Sequence, residues 1–414
     1  DEDRAADYGV PSRGFIKGAT VYRTNDSGAS WSQVSGLTKQ MKSYMMSHSN
    51  TYGWVFGQIR VDPNDADTVY IMGLPLSVSE DGGKTFKRLP GMHGDHHGLW
   101  IDPDNSNYLV NVNDGGIVIS YNKGKDWRQF LDNLPVCQFF NISFDMDTPF
   151  RVYGSMQDHG SFRCVVTRST RGKGFVAVEW ERAPGGEGTT HAIDPRNPNI
   201  VYSAGFYGHI TRTDLSKPRR EGSKNIYPAQ IKGEPRLRGQ WIAPIYLSPN
   251  HPDTIYLGLQ YLYRSRFQGD VWKRISPDMS YGIKEKLGDI PYQTIFSISE
   301  SPRDANLIYC GTDDGKVYVS KNSGKTWNEI MKGLPYRKWV SRITASRYNH
   351  STVYMTQNGK REDDFKAYVW KSTDYGKTWV DIAGGIPLGP VNIIQEDPVS
   401  RNILYVGTDV GVYV

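Results

Sequence analysis

The chain has 414 residues, 38% hydrophobic and 22% charged, which is enough apolar material for a large core and excludes a disordered polymer. Its formal charge of +5 is spread over 49 basic and 44 acidic residues with no run of like charge, so no nucleic-acid-binding arm is expected. No stretch of about 18 apolar residues occurs, which excludes a transmembrane helix.

Residues 1–17 read as an N-terminal extension; their first four, Asp1, Glu2, Asp3 and Arg4, carry neither an initiator Met nor an apolar leader, as expected of a processed or excised product. The cysteines Cys137, Cys164 and Cys310 are odd in number, so no disulfide framework follows from them. Tyr (26), Trp (11) and Gly (43) favour pleated strands and tight turns.

From residue 18 onward one short pattern recurs. It runs Thr24, Asp26, Gly28, Trp31; Ser79, Asp81, Gly83, Phe86; Ser120, Asn122, Gly124, Trp127; Ser320, Asn322, Gly324, Trp327; and Ser372, Asp374, Gly376, Trp379, with a decayed copy at Ser265, Phe267, Gly269, Trp272. Each reads as a hairpin: a strand ends at the hydroxyl residue, the Asp or Asn accepts turn amides, the Gly takes a positive φ and the aromatic opens the next strand. Asp26, Asp81, Asn122, Asn322 and Asp374 are thus structural. Successive third positions lie 55, 41, 145, 55 and 52 residues apart, and the long interval is close to three periods of about 50.

Before each hairpin comes an apolar strand, often closed by Asp-Pro or Ser-Pro, and then a strand containing Tyr. Examples are Asp62-Pro63 with Tyr70, Asp194-Pro195 with Tyr202, Ser301-Pro302 with Tyr309 and Asp397-Pro398 with Tyr405. Each unit is strand A, turn, strand B, loop, strand C, hairpin, strand D, which is a propeller blade. The fold class is all-β, and residues 18–414 form a single β-propeller of about eight four-stranded blades, with seven as the alternative. Seven blades are complete from about residue 57 to 382, and the eighth is split between the termini. Both ends offer a C strand, an excess that points to a piece of a longer tandem-propeller protein.

The pattern Ser/Thr-x-Asp-x-Gly-x-Thr-Trp resembles the Asp-box repeat of sialidases, xyloglucan-cleaving glycoside hydrolases and sortilin. The phrases from Gly94 to Pro103, Asn113 to Gly116 and Tyr153 to Gly160 resemble large secreted bacterial sortilin-like propellers carried as glycosidases. The resemblance covers nearly the whole chain and implies fold more than activity. It also implies limits: the Arg-Ile-Pro motif and arginine triad of sialidases are missing, with Arg60 alone in a comparable strand. In the xyloglucan-cleaving enzymes acid and base face each other across two propellers, and this chain has material for about one.

In a propeller the D-to-A and B-to-C loops share one rim, where ligands sit, and the hairpin turns occupy the other. That rule gathers Asp95, His96, His97, Asn113, Asp114, Gln157, Asp158, His159, Glu187 and His191 as a polar rim, with Trp241, Trp339 and Arg342 as binding groups. Catalytic candidates are Asp114, Asp158 and Glu187, set against Asp313, Asp314, Asp363 and Asp364 across the channel. The competing reading is that such polar groups satisfy each other. Adjacent His96 and His97 point to opposite strand faces, a poor metal spacing, so no metal and no cofactor is expected. The expected function is an extracellular or periplasmic binding and scaffolding module for a glycan or protein partner; the alternative is a glycoside hydrolase using rim carboxylates.

Overall fold

The computed structural model describes residues 19–48, 56–130, 138–169, 172, 174–287 and 291–414. The predicted extension and Cys137 lie outside them. The chain divides into two compact units, Asp1–Cys137 and Gln138–Val414.

The fold is a β-propeller built from antiparallel meanders. In the first unit a two-stranded hairpin (Tyr22–Arg23, Ser32–Gln33) precedes two four-stranded sheets, the first starting at Ile59–Asp62 and the second at His96–Ile101. In the second unit five four-stranded sheets follow in sequence, with inner strands Phe139–Phe144, Thr190–Ile193, Ile245–Leu247, Ile295–Ser301 and Trp339–Ala345. A three-stranded sheet, Val391–Glu396, Leu404–Thr408 and Gly411–Tyr413, comes last. Among the described residues the seven complete sheets are those the repeat predicts.

The recurrent Tyr of strand B is the centre of the packing: Tyr70, Tyr153, Tyr202, Tyr256 and Tyr309 are almost wholly buried. Each burial removes a large aromatic surface from water, worth about 2–3 kcal/mol apiece. Helix α1 (Lys39–His48) is not anticipated by an all-β reading. Thr38 caps it by accepting the Met41 N–H at 3.2 Å, and Met41 and Met45, one turn apart, are buried with Val69, Ile71 and Phe86.

The hairpin turn works as a clamp between sheets. Ser372 donates its hydroxyl to Asp374 at 2.8 Å and accepts the Gly376 N–H at 2.8 Å, while Asp374 accepts the Thr378 N–H at 2.9 Å and its hydroxyl at 2.7 Å. Tyr375 and Gly376 are both left-handed, at φ 66° and 87°, and a Cβ on Gly376 would lie 2.4 Å from Ile330 Cδ1 of the preceding sheet. Trp379 then donates its indole N–H to the Ile330 carbonyl at 2.9 Å; Trp327 repeats this on Ile275 and Trp272 on Ile226. Ser265 and Gly269 keep the turn where Phe267 stands in place of the Asp.

The Thr378 amide and hydroxyl hold the Asp374 carboxyl down to about 2. A lowered carboxyl pKa contributes stability that is present above its unfolded value and is lost as pH falls through the folded one. Asp374→Ala is therefore expected to lower Tm by a few degrees at neutral pH and leave ligand binding unchanged, and Asp374→Asn to show a shallower loss of Tm between about pH 4 and 2. Thermal melts across that range check both; an unaltered Tm in Asp374→Ala would contradict the clamp.

One feature of the inner strands positions the candidate site. Register shifts by one residue near the start of strand A in five sheets, at His96/Gly98, Phe139/Asn141, Ile295/Ser297, Val340/Arg342 and Val391/Ile393. A bulge of this kind redirects the extra side chain. The extra residues are His97, Phe140, Phe296, Ser341 and Asn392.

Candidate functional site

In the first unit, the bulge turns His97 outward while its neighbour His96 faces the sheet interior. His97 Nε2 lies 2.6 Å from Asp114 Oδ1, and the His97 carbonyl accepts from Gln58 Nε2 at 2.6 Å. His96 is buried with Nδ1 2.8 Å from Asn111 Oδ1, and Asn113, also buried, donates to the same oxygen at 3.1 Å. Burial lowers the His96 pKa, which keeps the ring neutral. Asp95 sits in a left-handed turn whose carbonyl accepts the Asp114 N–H. His96 and Asn113 thus brace the loop from inside, and His97 and Asp114 form its exposed pair. Among the described residues no three His, Cys, Asp or Glu side chains gather as a metal site.

The second unit brings the remaining candidates together more tightly. Gln157, Asp158 and His159 occupy the tight B-to-C loop between Arg151–Met156 and Gly160–Arg168, and Asp158 takes a left-handed backbone at φ 58°, a conformation that Asp tolerates. Glu187 approaches from the next D-to-A loop. The Gln157 amide bridges the two carboxyl groups, donating to Glu187 Oε1 at 2.6 Å and Asp158 Oδ1 at 3.1 Å. Sharing that amide places the Asp158 and Glu187 carboxyl groups side by side. Burial first, and then the adjacent Asp158 charge, push the Glu187 pKa upward. His159 Nδ1 lies 2.9 Å from the Gln157 carbonyl, and Arg182 donates to the His159 carbonyl at 2.6 Å, so the loop is held from both sides.

An aromatic surface adjoins this pair. Trp241 stacks on Phe206 at 4.5 Å between centroids, and the bulged Phe140 meets Trp241 edge-on at 5.1 Å. Gly188, next to Glu187, has a left-handed φ of 61°, and a Cβ there would strike the Phe206 ring at 2.5 Å and approach Trp241 at 3.4 Å. The glycine is what lets the Glu187 loop lie against the aromatic stack. Phe206 and Phe140 are absent from the residues singled out by sequence. The short loop Gly205, Phe206, Tyr207, Gly208 carries the signal for Phe206; for Phe140 only the bulge shows its direction.

The other candidates sit in different surroundings. His191 is buried, with Nε2 2.8 Å from the Pro184 carbonyl and a pKa driven down to about 4 by burial, so it supports the Glu187 loop as a neutral ring. Arg342 is half-buried on its strand, and burial lowers its pKa. Trp339 lies under the Arg361 guanidinium at 3.8 Å and against the edge of Phe296.

Asp313 cannot face a substrate: it is 1% exposed, accepts the Tyr292 and Thr294 N–H groups at 2.6 and 2.8 Å, and is pushed up to about 7 by burial, with the charge of Asp314 adding to it. Asp314 is likewise buried, accepting from Tyr281 N and Thr312 Oγ1. Asp364 is taken by Lys338 at 2.9 Å and Tyr368 at 2.7 Å.

No protein-family model matches the chain. It is 24% identical over 405 residues to the oligoxyloglucan-reducing end-specific xyloglucanase of Emericella nidulans, covering 91% of this chain and 47% of that protein. It is 26% identical over 152 residues to sortilin of Danio rerio, covering 35% of this chain and 18% of that protein. Among solved structures, the GH74 enzyme of Niastella koreensis aligns over 94% of this chain and 71% of its own at 12% identity and a TM-score of 0.33. The chain spans about half the length of the xyloglucanase it matches over most of its own residues, and less of the others.

Proposed function

We propose that this propeller acts on a polysaccharide of the xyloglucan class as part of a glycoside hydrolase, with Glu187 as the proton donor and Trp241 and Phe206 as the sugar-stacking surface. The observation that carries the reading is Glu187 itself. It is a half-buried carboxyl with a raised pKa, fixed by Gln157 and Asp158, beside an aromatic stack. General acids of this type need a carboxyl that keeps its proton near neutral pH, and sugar rings bind on aromatic faces. The likeness over most of the chain to a xyloglucanase supports the choice of substrate class. An extracellular or periplasmic location belongs with this reading, since such polysaccharides are met there; among the described residues no helix is long and apolar enough to cross a membrane.

Asp158 and Glu187 both accept from the one Gln157 amide, side by side and not opposed across a cleft as the two carboxyls flanking a glycosidic bond are. They therefore count as one catalytic group, with Asp158 tuning Glu187, and not as opposed acid and base. That same bridge favours a second reading, in which the site binds glycan without cleaving it. Incubating the full chain with xyloglucan oligosaccharides, and measuring affinity and new reducing ends in parallel, separates the two. Saturable binding with new reducing ends is expected. Binding alone leaves the scaffolding reading, and absence of both would overturn the site.

A further inference from the structure

At the hairpin-turn end of the second unit, away from the Glu187 loops, a cavity of about 770 Å³ opens between the sheet that starts at Ile245 and the one that starts at Ile295. Of its fourteen lining residues six are cationic, Arg264, Arg266, Lys273, Arg274, Lys321 and Lys325, and none is acidic. The whole chain carries 49 basic against 44 acidic residues, so this is a strong local bias. Carboxylates nearby are engaged elsewhere: Asp304 with His350, Glu329 with Lys316, and Asp270 with Lys224 and Arg212.

Three of the cations are already used, Arg274 by Glu234, Arg264 by the Ser323 carbonyl at 3.1 Å and Lys321 by the Tyr375 ring at 3.7 Å. Arg266, Lys273 and Lys325 are exposed, and among the described residues no carboxylate pairs with them. Like charges gathered on a concave wall raise the local potential and concentrate anions. The hairpin lining this groove is also one of those with Asn in place of Asp. Asn322 accepts the Thr326 N–H at 2.9 Å and donates to its hydroxyl at 2.8 Å, keeping the turn without adding a negative charge to the wall.

We propose that this groove binds a polyanionic glycan, a chain bearing carboxylate or sulfate groups along its length. Single-stranded nucleic acid would want free aromatic faces for its bases, and the one aromatic in the lining, Trp327, is partly buried with its N–H committed to Ile275. A peptide joining by strand addition would need a long open edge, and the outer strand here, Lys273–Arg274, has two residues. What remains is a hydroxyl-rich polyanion met by the Lys and Arg side chains. The site is independent of the Glu187 reading and stands or falls without it.

The test is affinity of the full chain, by fluorescence anisotropy, for a sulfated glycosaminoglycan oligosaccharide and for oligogalacturonate, with dextran, polyglutamate and single-stranded DNA alongside. Binding to at least one acidic glycan is expected, weakening steeply with added salt. The triple variant Arg266→Gln, Lys273→Gln, Lys325→Gln is expected to bind at least tenfold more weakly, and a control with equal charge loss at exposed Lys284, Lys286 and Lys377 less than twofold. Asn322→Asp, which restores the residue found at positions 81 and 374, is expected to weaken binding several-fold without lowering Tm. The relative affinities of the two acidic glycans tell sulfate from carboxylate. The proposal is overturned by no saturable binding to either, by an equal loss in the control, or by polyglutamate or DNA binding as tightly.

Discussion

Glu187→Gln is expected to lower kcat for xyloglucan oligosaccharides by about 10²- to 10⁴-fold, the usual contribution of a general acid, while glycan affinity changes less than threefold. The amide keeps the size and the hydrogen-bonding reach toward Gln157 but has no proton to give the leaving oxygen. A companion experiment gives the sign of the pH dependence. Asp158 raises the Glu187 pKa by its charge, so Asp158→Asn lowers that pKa, and the acid is then spent at lower pH. The alkaline limb of kcat/KM is expected to move to lower pH in Asp158→Asn and to vanish with the activity in Glu187→Gln. An unmoved limb, or full turnover in Glu187→Gln, would sink the assignment of Glu187 as proton donor.

The largest expected stability effect lies at a residue with no part in this chemistry. Glu300 is 1% exposed and joins two sheets: it accepts from Ser248 Oγ and Asn250 Nδ2 at 2.6 Å each and from the Tyr256 hydroxyl at 2.5 Å, while its backbone carbonyl accepts from Tyr246. Glu300→Ala strands two buried donors, Ser248 and Tyr256, takes one acceptor from the half-buried Asn250 and leaves a void. A loss of about 3–5 kcal/mol is expected in urea unfolding, the range for breaking a buried polar network. Glu300→Gln retains one oxygen, and Tyr256 can accept from its amide, so about 1–2 kcal/mol is expected. Equal stability in both variants would remove Glu300 from the sheet-to-sheet joint. Glu396 repeats the device between the last two sheets, accepting from Ser346 Oγ at 2.6 Å and Arg347 N at 2.7 Å.

The architecture was legible because its signals are local. A turn that needs a hydroxyl, a carboxyl or amide, and a left-handed pair ending in Gly writes itself within eight residues, and a buried Tyr at one strand position recurs with it. The seven complete sheets follow from that periodicity alone. Helix α1 was also written locally, in Thr38 and in the spacing of Met41 and Met45, but a strand-and-turn reading passes over one isolated helix.

What the sequence by itself determined, then, is the repeat: four strands, a hydroxyl-carboxyl turn, an aromatic that clips each sheet to the one before. Only the tertiary structure decided which polar residues meet solvent. His96 and His97 are neighbours in sequence, yet a bulge buries one and exposes the other. Asp313 and Asp158 both sit in B-to-C loops; one is sealed beneath two amides and the other shares the Gln157 amide with Glu187. The Trp241–Phe206 stack and the cationic groove join residues from different sheets. The physical reason is the same in each case. Turn geometry is fixed by neighbours a few residues away, whereas burial, carboxyl pairing and charge density are fixed by side chains that chain topology brings together from about 30 to 60 residues apart.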